Sequence, residues 1–89
     1  MPLPGNPLGY ARDIADGSAP FTALQFKRFT PEDLKTVRIN LGLVLRDVRL
    51  EKVPERNLDA IRRRAQKIQR INEAIMLVET HAKKLRIPL

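Results

Sequence analysis

Apolar residues between positions 31 and 52 recur at intervals of three and four, which is the spacing of one face of an α-helix. The members of this stripe are Leu34, Val37, Leu41, Val44 and Val48. Thr30 can cap the first turn, Pro31 suits its first position, and two acidic residues follow them, so the helix has a strong start signal. The pattern predicts a helix over about 31–52.

The middle of this segment also fits a β-strand. Apolar residues alternate with period two over residues 36–45, an arrangement typical of a half-buried strand. They are Val37, Ile39, Leu41, Leu43 and Leu45. Gly42 also lowers the helix propensity of this stretch. We favour the helix, because its start signal is strong and the three–four spacing continues beyond Leu45.

A second apolar stripe extends over residues 54–85. Its members, spaced mostly by three and four, are Leu58, Ile61, Ala65, Ile68, Ile71, Ile75, Val78, Ala82 and Leu85. Val53 and Pro54 separate the two stripes, because proline disfavours helix at the residue before it and suits the first turn of a new helix. Two long helices joined by a short turn predict an all-α fold, with residues 30–89 forming an antiparallel helical hairpin.

Residues 1–29 have a different composition. Their first twenty positions are rich in proline and glycine, which predicts an extended arm, with at most a helical turn over 10–15. All three phenylalanines, Phe21, Phe26 and Phe29, follow within nine residues and would anchor the arm on a hydrophobic surface. The sequence leaves open whether that surface belongs to the same chain or to a neighbouring subunit.

Each predicted helix also carries apolar residues outside its main stripe. These are Ile39, Leu43 and Leu50 on the first helix, and Met76 and Leu77 on the second. A helix that is apolar on two sides has to be covered on two sides. We therefore expect the chain to form a homo-oligomer or to dock within a larger assembly, with these residues and the three phenylalanines as the protein interface.

The chain also carries a strong positive charge. The 89 residues make one domain at most, and their formal net charge of +7 favours an anionic partner. Residues 27–53 carry seven cations against four acids, and residues 54–89 carry nine against four. Within the second part, no acidic residue lies between Asp59 and Glu73. That interval holds a basic cluster, which consists of Arg62, Arg63, Arg64, Lys67 and Arg70.

The basic cluster predicts contact with a polyanion. Together with Arg38, Arg46 and Arg49 of the first helix, it could line one surface against a nucleic-acid backbone. Arginine outnumbers lysine eleven to six, which suits bidentate phosphate contacts. Such contacts fix position without reading bases. A solvated surface is the alternative interpretation, since pairs such as Asp59 and Arg63 can stabilise an isolated helix.

The side chains needed for catalysis are sparse. The chain has no cysteine and a single histidine, His81, so metal and nucleophile constellations lack members. We expect a non-enzymatic subunit with no metal, no cofactor and no small-molecule substrate. The apolar runs are too short to span a bilayer, and the N-terminal prolines do not suit a targeting helix. These features predict a soluble chain, cytoplasmic or within a nucleoprotein assembly.

Two alternative functions stay open. The first is a protein–protein adaptor that uses an apolar helix face around Met76 and Leu77. The second is a DNA-binding regulator, because residues 34–43 and 53–58 resemble parts of repressor-type helix-turn-helix domains. That resemblance covers about a third of the chain. It places Asn57, Asp59 and Arg62 near the recognition helix, while Lys52 stands where the family has a turn glycine.

Overall fold

The computed structural model describes residues 5–53 and 55–89, and these residues form four α-helices and no β-strand. The helices are α1 (Pro7–Asp16), α2 (Ala23–Phe26), α3 (Pro31–Leu50) and α4 (Leu58–Lys84). The predicted all-α class is confirmed. Residues 36–45, which could also have formed a strand, lie within α3.

The start of α3 has the predicted capping geometry. The Thr30 hydroxyl oxygen accepts a hydrogen bond from the Asp33 N–H at 3.1 Å, and the Asp33 carboxylate accepts one from the Thr30 N–H at 3.1 Å. This reciprocal pair satisfies two backbone donors that a helix start leaves free. Pro31 occupies the first turn, as expected.

The second long helix begins later than predicted. Asn57 caps α4, its side-chain oxygen accepting a hydrogen bond from the Ala60 N–H at 3.0 Å, whereas Glu55 and Arg56 lie in a turn. Asparagine is among the best N-cap residues, so the chain reverses before Asn57 and the helix starts after it. The expected start at Pro54 lies outside the described residues.

Helices α3 and α4 pack antiparallel. Arg38, near the start of α3, meets Glu79 near the end of α4, and Arg64, near the start of α4, meets the carbonyl of Val48 near the end of α3. All five residues of the predicted α3 stripe are buried. From α4 the buried residues are Ile71, Ala74, Val78 and Ala82.

The N-terminal segment differs from the predicted extended arm. Residues 7–16 form α1, which packs against both α3 and α4 and buries Ala11, Ile14 and Ala15. Asn6 caps the start of α1 by accepting a hydrogen bond from the Gly9 N–H at 3.0 Å, and Gly17 ends the helix with a φ of 82°. A left-handed residue of this kind is normally glycine. The proline and glycine that indicated an irregular arm therefore mark the two ends of a helix.

The aromatic residues of this segment pack within the same chain. Phe26 is 1% exposed and lies with its ring centroid 4.5 Å from that of Phe21 and 5.4 Å from that of His81. The Tyr10 ring lies edge-on to Phe29, with centroids 6.3 Å apart. Burial raises the pKa of the Tyr10 hydroxyl above its ordinary value, because desolvation disfavours the phenolate. The predicted anchors thus join the hydrophobic core of the chain itself.

Candidate interaction surfaces

Arg64, in the middle of the basic cluster, binds the end of α3. Its Nε donates to the Val48 carbonyl at 3.1 Å, and a terminal guanidinium nitrogen donates to the Arg49 carbonyl at 2.7 Å. The last carbonyls of a helix have no partners within the helix, and they carry the negative end of its dipole. Arg64 therefore acts as a C-terminal cap for α3.

Lys67 and Arg70 bind the end of α1 in a similar way. A guanidinium nitrogen of Arg70 donates to the Ala15 carbonyl at 3.1 Å. The Lys67 ammonium lies 3.7 Å from a carboxylate oxygen of Asp16 and 3.9 Å from one of Glu51. Exposed pairs of such length contribute at most about 1 kcal/mol each. We call Arg64, Lys67 and Arg70 the helix-end clamp, because they hold the C-terminal ends of α1 and α3 against α4.

The eight residues predicted to bind nucleic acid thus divide into two groups. Four of them contact the chain itself: the three clamp residues and Arg38, whose Nε lies 3.0 Å from a Glu79 carboxylate oxygen. The other four are exposed, and among the described residues none of them forms an ion pair with a carboxylate. They are Arg46, Arg49, Arg62 and Arg63.

The reason for this division is the register of α4. The predicted stripe placed Ile61 and Ala65 in the core, but Ile61 is 41% exposed and Ala65 is also exposed. Arg64 and Lys67 are half-buried instead. They continue the buried stripe of α4 back from Ile71 in steps of four and three. Because α1 and α3 end at this level, the inner side of α4 meets backbone carbonyls there, and cations suit carbonyls better than apolar side chains do.

The predicted protein interface also divides. Phe26 is buried in the core, and Phe21 and Phe29 are half-buried against it. Leu77 lies on the side of α1, where it lines a shallow cavity with Ile14. The remaining predicted residues are exposed on the outer surface of the hairpin, and they are Ile39, Leu43, Leu50 and Met76.

One flank of the hairpin is packed against α1 and the opposite flank is not. On the packed flank, Ala15 of α1 lines a cavity with Val44 and Val48 of α3. On the opposite flank, Ile39 of α3 lines a depression with Lys83 of α4, so both helices contribute to one surface there. Counting about 100° per residue from the buried stripes gives the members of this surface. We call it the uncovered hairpin face, and it consists of Ile39, Gly42, Arg46 and Arg49 with Ile61, Ala65, Ile68, Asn72, Ile75 and Met76.

The uncovered hairpin face carries exposed apolar side chains beside cations. Ile39, Ile61 and Met76 are 62%, 41% and 66% exposed. The cations of this face, by the same counting, are Lys35, Arg46, Arg49 and Lys83. Two carboxylates lie on the face as well, because Glu79 shares the helix angle of Ile61 and Glu32 lies about 20° from Ile39. Glu79 is paired with Arg38, so the cations outnumber the carboxylates.

The sequence pattern assigned the residues of this face to different roles, some to the core and others to separate binding surfaces. Ile61, Ala65 and Ile68 were expected to be buried, because a stripe at three–four spacing normally faces the core. The apolar pattern gave no signal of this, because the side of α4 that faces inward at this level carries Arg64 and Lys67.

The described residues offer few other sites. No group of three or more His, Asp or Glu side chains in residues 5–53 and 55–89 is arranged to hold a metal ion. None of the helices in these ranges has an apolar stretch of the length needed to cross a bilayer. No protein-family model matches the chain, and no curated protein or solved structure matches it either.

Proposed function

We propose that this protein is a binding subunit that docks onto another protein chain through the uncovered hairpin face. The observation that supports this most is the exposure of Ile39, Ile61 and Met76 on the flank that α1 does not cover. Large apolar side chains exposed on one side of a small protein mark interaction sites. Protein–protein interfaces combine such residues with charged and polar ones.

The packed flank provides a comparison within the same molecule. There, a ten-residue amphipathic helix covers α3 and α4 and buries Ala11, Ile14 and Ala15. No helix of the described residues does the same on the opposite flank, where Ile87 and Leu89 line only the depression beside Ile39. A chain of 89 residues buries a modest fraction of its surface, so covering a second apolar flank by a partner would add substantially to its stability.

Site-specific photo-crosslinking tests the proposal. A photoreactive amino acid at Ala65, which is exposed on the uncovered hairpin face, should give a nuclease-resistant crosslink to a protein in the native source. The same group at Gln66, exposed about 100° away on α4, is the matched control and should not. The purified partner should then bind the full chain and lose binding to an Ile61→Lys, Met76→Lys variant. Equal crosslinking at both positions would contradict the proposal.

A second candidate function is binding to a nucleic-acid backbone. It is supported by the four exposed arginines outside the helix-end clamp that form no ion pair among the described residues, and by the net charge of +7. Phosphate contacts from Arg46, Arg49, Arg62 and Arg63 would be sequence-independent.

This second candidate predicts a specific charge-reversal result. Each phosphate contact contributes about −0.9 to the slope of log affinity against log salt on duplex DNA, so an Arg62→Glu, Arg63→Glu variant should make that slope shallower by about 1.8. Arg70 is left intact because it belongs to the clamp. A Lys83→Glu, Lys84→Glu variant has the same charge change at the other end of α4. If it weakens binding equally in fluorescence anisotropy titrations, the effect is one of net charge and the predicted site is wrong.

The helix-turn-helix alternative receives no support from this geometry. Of the described residues between 53 and 58, those up to Asn57 form the turn and cap before α4, and Leu58 is its first residue. Helix α4 then continues for 27 residues, whereas the reading unit of such domains consists of two short helices joined by a tight turn.

A further inference from the structure

We propose that the uncovered hairpin face receives an acidic amphipathic α-helix of a partner protein, which passes close over Gly42 in the furrow between α3 and α4. This inference rests on the proposed function and adds the chemistry of the partner. A furrow between two antiparallel helices suits a third helix laid along it, as α1 already lies on the other flank. From Ile39 to Arg49 the groove would extend for about 15 Å along α3, or roughly three turns of a bound helix.

Gly42 is the first observation that favours a closely approaching partner. A methyl group placed there would find only a guanidinium nitrogen of Arg38 within 4 Å, at 3.3 Å, and no atom of α4. Its backbone is not in the left-handed region, since Gly17 is the only described glycine with positive φ. Neither backbone geometry nor packing within the chain therefore requires glycine in the middle of α3. Close approach of another molecule is a further reason for glycine at such a position.

The excess of cations over carboxylates on this face favours an acidic partner. Arg46 and Arg49 line the groove near the end of α3, whereas Lys35 and Lys83 lie toward its other end. The Glu79 carboxylate is already paired with Arg38 at 3.0 Å. A helix with an apolar stripe flanked by glutamate or aspartate would place carboxylates beside these cations, and such complementarity selects partners and speeds their association.

The same charges argue against a second copy of this chain. In a two-fold symmetric contact the same patch lies on both sides. Two uncovered hairpin faces would then bring two sets of arginine and lysine side chains together, and like charges across an interface are unfavourable. A partner of opposite charge has no such penalty.

Synthetic helical peptides test the inference on the full chain. The first probe has a leucine and alanine stripe flanked by glutamates, the second has lysine in place of each glutamate, and the third is a scramble of the first. We expect the acidic peptide to bind at least about tenfold more tightly than the other two, which corresponds to about 1.4 kcal/mol. The readout is fluorescence anisotropy of labelled peptide.

Substitutions locate the site. Gly42→Leu fills the groove and should weaken binding of the acidic peptide at least about tenfold, whereas Gly42→Ala is the matched control with a smaller change and a melting temperature no lower than that of the natural chain. Arg46→Glu with Arg49→Glu leaves Lys35 and Lys83 against two new carboxylates and should remove the preference for the acidic peptide. This pair provides an independent test should Gly42→Leu fail to fold, as judged by circular dichroism.

Several outcomes would overturn the inference. No binding of the acidic peptide, or equal binding of acidic and basic peptides, rules out an acidic helix. Such a result leaves the proposed function standing if the Ala65 crosslink still forms. A dimer in sedimentation that Gly42→Leu dissociates would identify a second copy as the occupant. Unchanged peptide binding in both variants would place the site elsewhere.

Discussion

Replacing Phe26 with alanine is expected to lower the free energy of unfolding by about 3–5 kcal/mol, the usual cost of removing a buried aromatic side chain. Phe26 is 1% exposed and packs against Phe21 and His81, so the substitution leaves a cavity where the N-terminal segment meets α4. Domains of this size are stable by only about 5–15 kcal/mol. The variant should therefore melt far below the natural chain or be partly unfolded at room temperature.

Chemical denaturation followed by circular dichroism measures this effect. Leu24→Ala is the matched control, because Leu24 lies in the same short helix but is 73% exposed, and it should change stability by less than about 0.5 kcal/mol. If Phe26→Ala instead left the unfolding of α3 and α4 unchanged while hydrogen exchange in α1 became fast, residues 5–29 would not belong to one cooperative unit with the hairpin.

Replacing Arg64 with methionine is expected to lower stability by about 1–2 kcal/mol. The substitution keeps much of the side-chain length but removes both hydrogen bonds to the Val48 and Arg49 carbonyls. Hydrogen bonds from a charged donor contribute about 1.5–3 kcal/mol, and we expect less here because the site is only half-buried and water can partly replace the donor.

Arg63→Met is the control for this experiment. It deletes the same charge one residue earlier, at an exposed position, and should change stability by less than about 0.5 kcal/mol. Equal destabilisation by the two variants in denaturant titrations would mean that the overall loss of charge, and not the capping of α3, is responsible.

The first long helix was largely predictable. Its start followed from Thr30 as a cap, Pro31 in the first turn and the two acidic residues after them, and its five-residue stripe is buried as predicted. Local chemistry and tertiary packing agree there, because α3 packs against both α1 and α4. The antiparallel pairing followed from the short connection between the two stripes.

The N-terminal segment was not predictable in the same way. Pro7 and Gly17 delimit α1, but proline and glycine are equally common in extended linkers, and ten residues are too few to give a strong periodic signal. What makes α1 a helix is its packing on α3 and α4. That packing involves contacts far apart in sequence, such as the hydrogen bond from Arg70 to the Ala15 carbonyl.

The basic cluster shows even more clearly that local sequence does not determine which side chains make tertiary contacts. Arg62, Arg63 and Arg64 are chemically identical and adjacent, yet only Arg64 contacts the end of α3 among the described residues. Which of them faces inward depends on where α1 and α3 stop relative to α4. The local pattern does not contain that information, because the stripe through Ile61 and the stripe through Arg64 have the same spacing.

Because of the helix-end clamp, the formal net charge does not describe the electric field near one end of the molecule. The ends of α1 and α3 each contribute about half a negative elementary charge, and the start of α4 returns about half a positive one. The amide dipoles at that pole of the bundle therefore sum to about half a negative charge, in addition to the carboxylates of Asp16 and Glu51. An approaching ion would experience much of the clamp's charge as already neutralised, so the formal value of +7 overstates the attraction at this pole.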